Sequence, residues 1–227
     1  MKWRLHKIFG IPSKLLLNIN YMNELSRWRS NNEVKGYNDW YQSDWDYLRR
    51  EKLYDAVCKQ EGVDKVAIDY FEFGVCSGYS FKLWLDKNKH QDSSFFGFDT
   101  FEGLPEAYGD YKAGTMNFPI ESLGITDKRA NFYKGLFQDT LIPFLEKYDN
   151  SKRKVIHMDA DIFSATLFTF SQLHRFLNEG DIIMFDEFAV PTHEFMAFDI
   201  YTKSFYTKYE VIAAANNYLF VAVKIKK

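Results

Sequence analysis

Phe71-Glu-Phe-Gly-Val-Cys-Ser-Gly-Tyr-Ser80 and, further on, Phe95-Phe-Gly-Phe-Asp-Thr-Phe-Glu-Gly-Leu-Pro-Glu106 decide how this chain folds. In the first stretch an apolar run ends at two glycines, Gly74 and Gly78, spaced G-x-x-x-G. In the second an apolar run ends at an acid, Asp99, 25 positions after Gly74. Two neighbouring parallel strands leave this trace when a nucleoside-bearing ligand lies across their C-terminal ends. The glycines let that ligand approach the backbone, and the acid accepts hydrogen bonds from ribose hydroxyls.

Outward from this pair, short apolar runs alternate with helical stretches. Strands are expected over 67–75, 94–98, 130–133, 154–158, 181–185, 210–214 and 218–225, and helices over 79–88, 138–149, 165–178 and 193–206. Alternation of this kind builds a parallel sheet with crossover helices. The last two strands are separated only by Ala215-Asn-Asn217, which reads as a hairpin turn. The expected fold is therefore α/β and Rossmann-like. It has a seven-stranded, mostly parallel sheet with its last strand antiparallel in a C-terminal hairpin, and helices on both faces. Residues 1–60 read as an N-terminal helical arm or cap and 61–227 as the sheet domain. Within the arm, Trp40, Trp45, Leu48, Leu53 and Val57 indicate a surface helix over 39–57.

Composition sets the outer limits. A chain of 227 residues with formal charge −2 can bury a substantial core and carries no global electrostatic footprint for nucleic acid. Cys58 and Cys76 are the only cysteines, too few for a disulfide framework, and point to a reducing, cytoplasmic setting. No apolar run reaches the length of a membrane-spanning helix. The first 14 residues hold Lys2, Arg4, His6, Lys7 and Lys14, with no acid before Glu24. Trp3, Leu5, Ile8, Phe9, Ile11 and Leu15 to Leu17 are interleaved among them. Pro12 and Lys14 interrupt any secretory signal. The first reading of this segment is a packing arm that joins subunits into a homo-oligomer. Contact with a membrane surface is the second.

The glycine spacing narrows the ligand. A dinucleotide loop needs G-x-G-x-x-G so that a pyrophosphate rests on a helix N-terminus, yet Cys76 and Tyr79 stand at the second and third glycine places. That makes a nicotinamide oxidoreductase a poor reading. S-adenosylmethionine is a nucleoside ligand without phosphates, and it suits the loop. Glu72 is then placed for its ammonium and Asp99 for its ribose.

Three acids gather at the expected ends of strands four and five: Asp159 in His157-Met-Asp-Ala-Asp161, and Asp186-Glu187. In a doubly wound sheet these ends face one crevice. Asp159, Asp186 and Glu187 would offer hard oxygen ligands to Mg²⁺ or another divalent cation, with no soft ligand to favour zinc. His193 is a second candidate base after Asp161, or a first-turn helix residue following the N-cap Thr192. Asp161 itself has an alternative reading as a cap for the helix near Ala165. His157 reads as a packed core histidine.

The chain resembles the class I methyltransferases of the macrocin O-methyltransferase (TylF-like) group over about residues 49–205. The resemblance is carried by Glu72-Phe-Gly-Val-x-x-Gly-x-Ser80, Gly97-Phe-Asp-Thr-Phe-Glu-Gly-Leu-Pro105, Lys134-Gly-Leu-Phe-Gln-Asp-Thr140 and Ala197-Phe-Asp199. It implies an S-adenosylmethionine-dependent O-methyltransferase acting on a hydroxyl of a sugar or sugar-containing small molecule. Gly74, Gly78, Ser80, Asp99, Thr100, Gly135, Phe137 and Asp159 would frame the cofactor. The same resemblance makes Asp159, Asp186 and Glu187 the metal site, with Glu187 where Asp is commoner, and Asp161 the general base. The loop over 101–118 would then close over the crevice, presenting Tyr108 and Tyr111. A non-catalytic cofactor-binding or assembly module is the competing reading, and the intact acids argue against it.

Overall fold

All six residues of the run Ile68–Phe73 are buried, as a strand covered on both faces requires. The computed structural model describes residues 5–226, with side chains from residue 12 onward. Seven strands form one sheet: β1 (Ile68–Phe73), β2 (Ser94–Asp99), β3 (Ala130–Lys134), β4 (Arg153–Met158), β5 (Ile182–Phe185), β6 (Lys208–Ala215) and β7 (Phe220–Lys226). Their order is β3-β2-β1-β4-β5-β7-β6. The first five are mutually parallel, and β7 runs antiparallel to both β5 and β6. The expected sheet and its C-terminal hairpin are borne out. The order reverses between β1 and β4, and at such a switch point the loops after the two strands part and leave a crevice.

Six helices accompany the sheet: α1 (Leu5–Asn31), α2 (Arg49–Glu61), α3 (Tyr79–Lys87), α4 (Phe137–Leu145), α5 (Phe163–Leu173) and α6 (Met196–Phe205). Strand alternation sends successive residues to opposite faces and so makes two cores. Phe71, Phe73, Phe98, Ile156, Met158 and Phe185 pack with α4, α5 and α6. Tyr70, Phe95, Val155, Ile182 and Met184 pack with α2 and α3 on the other side. Among the described residues, no helix is long and apolar enough to cross a membrane.

The N-terminal region departs from expectation. The helix expected over 39–57 begins only at Arg49. Upstream, the chain runs beside β6: Lys35 N donates to Val211 O at 2.9 Å and Ala214 N donates to Tyr37 O at 2.8 Å. The hairpin side chains hold the next turns, Gln42 N donating to Asn217 Oδ1 at 2.9 Å and Asp46 N to Asn216 Oδ1 at 3.3 Å. Backbone groups engaged this way are not available to a helical ladder. Leu53, Tyr54, Val57 and Cys58 of α2 are buried in the α2/α3 core, so a division at residue 60 falls within a helix of the sheet domain. α1 is rooted by Trp28, which packs on Phe188 with ring centroids 4.7 Å apart and donates from Nε1 to Tyr209 Oη at 2.6 Å. Residues 12–20 of α1 are all exposed. The apolar and basic side chains before residue 12 lie outside the described ones.

Gly74 shows why the first motif needs glycine at that place. Its φ is +92°, and a Cβ there would lie 1.8 Å from the Asp159 carbonyl oxygen. The glycine serves close approach of two backbones, β1 to β4, as well as any ligand. Gly109 has φ +53° and open space around a Cβ, so it isolates the conformational part of the cost. In urea denaturation, Gly74→Ala is expected to lose at least about 2 kcal/mol more than Gly109→Ala. Equal losses would mean that the β1–β4 approach relaxes freely.

Candidate active site

The loops after β1, β2, β4 and β5 enclose a cavity of about 700 Å³. That is the size of a site for one small-molecule ligand and part of another. Gly74, Cys76, Ser80, Asp99 and Thr100 line one side, Leu136, Phe137 and Gln138 a second, and Asp159, Asp161, Asp186 and Glu187 the far wall. The loop after β2 folds over the opening and contributes Gly103, Pro105, Tyr108 and Tyr111. It is closed on itself by Leu104 N to Thr115 O and Gly114 N to Leu104 O, both 2.8 Å. A second cavity of similar volume lies between β3 and α4, but its buried acid, Asp69, is already paired with Lys152 at 2.9 Å and Tyr148 at 2.8 Å.

Asp99 is the hub of the glycine loop. Its Oδ2 accepts Val75 N at 2.8 Å and Cys76 N at 2.9 Å, and its Oδ1 accepts Phe101 N at 2.7 Å. The carboxylate therefore ties the β1 and β2 loops together while lining the cavity. Thr100 also lines it, with its hydroxyl donating to Gly103 O at 2.6 Å. Gly78 (φ +74°) starts α3, and Gly135 (φ +141°) donates to Asp99 O at 3.0 Å. Both shape the cavity from behind, and neither lines it.

Glu72 requires a correction. It is fully buried behind the cavity, where Tyr70 Oη and Ser80 Oγ (2.8 Å) donate to it and His157 Nδ1 lies 3.7 Å away. With its oxygens so engaged it supports the glycine loop, and it does not face a ligand ammonium. His157 is more than a packed core residue. Burial alone would lower its pKa, but the neighbouring carboxylates of Asp186, Glu72 and Asp159 outweigh that and raise it to about 10. The imidazole sits between Glu72 and Asp186, with Tyr54 Oη 3.2 Å from its Nε2.

The acids converge as expected, with additions. Among the described residues, ligand atoms of His157, Asp159 and Asp186 lie within 4.8 Å of one another. The two ring nitrogens of His157 lie 3.7 Å from Glu72 and 3.8 Å from Asp186, so the imidazole also stands between two acids. Glu187 lines the same wall but stands outside that group, and its backbone N donates to Glu194 Oε2 at 3.0 Å. Asp186 Oδ1, Glu187 Oε2 and Glu194 Oε1 are buried without a hydrogen-bond partner. An all-oxygen set with orphaned acceptors fits a hard divalent cation. Burial, followed by the charge of Asp186, raises the pKa of Asp159 well above the ordinary range and that of Asp161 to about 6. Burial also raises Glu187 and Glu194. Arg50 relieves part of this charge, its Nη1 3.3 Å from Asp186 Oδ1.

Asp161 adopts φ +58°, a conformation that Asp tolerates better than most residues, and it lines the cavity. α5 has no side-chain cap, so the capping alternative for Asp161 fails. His193 is also corrected. It lies in an irregular turn (φ −116°, ψ −107°) before α6, with its ring edge on Tyr108 at 4.9 Å. It lies behind Tyr108 and does not line the cavity.

Arg50, Tyr54 and Glu194 were missed from the sequence. Arg50 and Tyr54, at i and i+4 on one face of α2, were the available signal. Nothing in the sequence pattern marks Glu194.

A sequence model described as "Methyltransferase domain" matches residues 71–188. The chain belongs to that methyltransferase-domain family. The class I resemblance drawn from the motifs is borne out. Over 110 residues it is 26% identical to the 8-demethyl-8-(2,3-dimethoxy-alpha-L-rhamnosyl)-tetracenomycin-C 4'-O-methyltransferase of Streptomyces olivaceus, covering 40% of this chain and 41% of that protein. The match thus spans under half of that relative. Among solved structures, the O-methyltransferase NovP superposes with TM-score 0.64 at 17% identity, over 93% of this chain and 99% of that one. The calicheamicin methyltransferase CalS11 gives 0.59 at 15% identity, over 91% of each chain. At these identities the two structures share the fold.

Two measurements probe the site. Burial first, then Asp159, Asp99 and Asp161, raise the Cys76 thiol to about 11, so its thiolate appears only as pH rises toward that value. Iodoacetamide at pH 8 is expected to label Cys76 about 100-fold more slowly than a free cysteine, with the rate climbing up to pH 11. Labelling as fast as free thiol at pH 8 would contradict this environment. Glu72→Ala removes a carboxylate beside His157 and leaves two hydroxyls without their acceptor, and a loss of about 3–5 kcal/mol in urea denaturation is expected. A loss under about 1 kcal/mol would mean that Glu72 carries no structural charge.

Proposed function

We propose that this chain transfers a methyl group from S-adenosylmethionine to a hydroxyl of a sugar or sugar-containing acceptor, assisted by a divalent cation in the acid cluster. One observation carries the reading: Asp159, Asp161, Asp186 and Glu187 share a cavity with the glycine loop and Asp99. Donor and proton acceptor would therefore meet in one enclosed space. Tyr47, Tyr79, Tyr108 and Tyr111 around that cavity supply ring faces for a sugar. The names of the Streptomyces olivaceus enzyme, and of CalS11 as a TDP-rhamnose 3'-O-methyltransferase, support the same acceptor class.

Asp159, Asp186 and Glu187 would hold the cation. When bound, the ion supplies positive charge that fixes the acceptor oxygens and lowers the pKa of the reacting hydroxyl. The remaining work falls to the chain. The loop over the cavity excludes water, the tyrosines orient the ring, and Asp161 takes the hydroxyl proton as the oxygen bonds to the methyl carbon. The sulfur–methyl bond breaks in the same step, leaving S-adenosylhomocysteine.

Calorimetry with S-adenosylhomocysteine and with NAD separates the donor classes, and binding of the first alone is expected. Asp161→Asn is expected to lower kcat about 10²–10⁴-fold with S-adenosylhomocysteine affinity unchanged. Methyl transfer within about threefold of wild type would remove the base assignment. EDTA should abolish turnover, and Mg²⁺ should restore it. Turnover indifferent to EDTA would remove the cation from the reading.

A further inference from the structure

Leu15, Leu16, Ile19 and Met22 of α1 are 61%, 65%, 53% and 59% exposed. At 100° per residue these four fall within an arc of about 120° on the helix. The residues that dock α1 on the body, Tyr21, Leu25 and Trp28, lie on roughly the opposite side. The helix thus turns its broadest apolar arc away from the docked side, Leu17 (45% exposed) lies outside that arc, and residues 12–20 are all exposed. The charge of the segment is as one-sided as its packing. Lys2, Arg4, Lys7 and Lys14 precede residue 23, and all 31 acids of the chain follow it.

We infer that α1 is a lipid-surface arm. Its apolar arc enters the acyl boundary of a leaflet while its Lys and Arg residues meet anionic headgroups. No helix among the described residues can cross a bilayer, so the arm lies on the surface. A second copy of the chain is the poorer occupant. The arc, with Leu15 and Leu16 adjacent, is wider than the narrow seam of a two-stranded coiled coil. Two arms side by side in parallel would also set Lys7 and Lys14 against their copies, with no acid before Glu24 to pair them. The arm is rooted next to the acid cluster, with Trp28 on Phe188 and Tyr21 on Phe195 at 6.5 Å. This inference stands independently of the methyl-transfer reading.

The full chain is to be sedimented with vesicles of phosphatidylcholine, alone or with about 30% phosphatidylglycerol. Binding at least about tenfold tighter to the anionic vesicles is expected, weakening as salt rises. The double variant Leu15→Asn/Ile19→Asn should lose it while keeping the wild-type Tm and affinity for S-adenosylhomocysteine, since both side chains are exposed. Binding that ignores lipid charge, or a double variant that sediments like wild type, would overturn the inference. So would a wild-type oligomer in light scattering that the double variant dissolves while vesicles go unbound.

Discussion

The closest constraint in the molecule is between two backbones. At the sheet's switch point, β1 ends against the start of the β4 loop, and the Asp159 carbonyl occupies the space where residue 74 would carry a side chain. Asp159 N donates to Phe73 O at 2.9 Å, and Asp186 N donates to Met158 O at 3.1 Å. Each loop is thereby registered to its neighbour before any side chain acts. The glycine loop, the acid after β4 and the acid after β5 stay on one wall because the backbone permits no other spacing.

Beneath that wall lies a run of buried charge. Ser80 and Tyr70 donate to Glu72, His157 stands between Glu72 and Asp186, and Arg50 approaches Asp186 from α2. Buried acids so close would repel one another, and two cationic side chains and several hydroxyl donors offset part of that cost. Not all of it is offset. Asp186, Glu187 and Glu194 each keep an oxygen without a hydrogen-bond partner, although that of Asp186 faces Arg50. Unpaired buried acceptors of this kind call for an explanation, and an ion, a water or a catalytic role can each supply it. The first half of α1 presents the opposite case: Leu15, Leu16, Ile19 and Met22 leave apolar surface uncovered.

Periodicity, glycine placement and the string ending at Pro105 were enough for the parallel sheet, its hairpin and the identity of the cavity. Asp99, Asp159, Asp161 and Asp186 were legible because they end apolar runs, and a strand end in this topology has one place to go. Glu72 was misread for a physical reason. Proximity to the glycines in sequence says nothing about which face of β1 a side chain takes, and Glu72 shares the face of Tyr70 beneath α3. His193 was misread because an irregular turn replaces the first turn of the helix expected there. The helix expected over 39–57 lost its first ten residues to contacts with β6 and the hairpin, which lie more than 160 positions away.

What the sequence determined by itself was local and periodic. It set where strands and helices form, where the backbone must turn through positive φ, and which acids stand at strand ends. Only the tertiary structure decided which of those groups face the cavity and which lie beneath it. Arg50, Tyr54 and Glu194 enter the site from α2 and from the turn before α6, elements whose own patterns mark them as packing. Their roles arise from burial beside other charges, and burial is a property of the assembled sheet and helices rather than of any one segment.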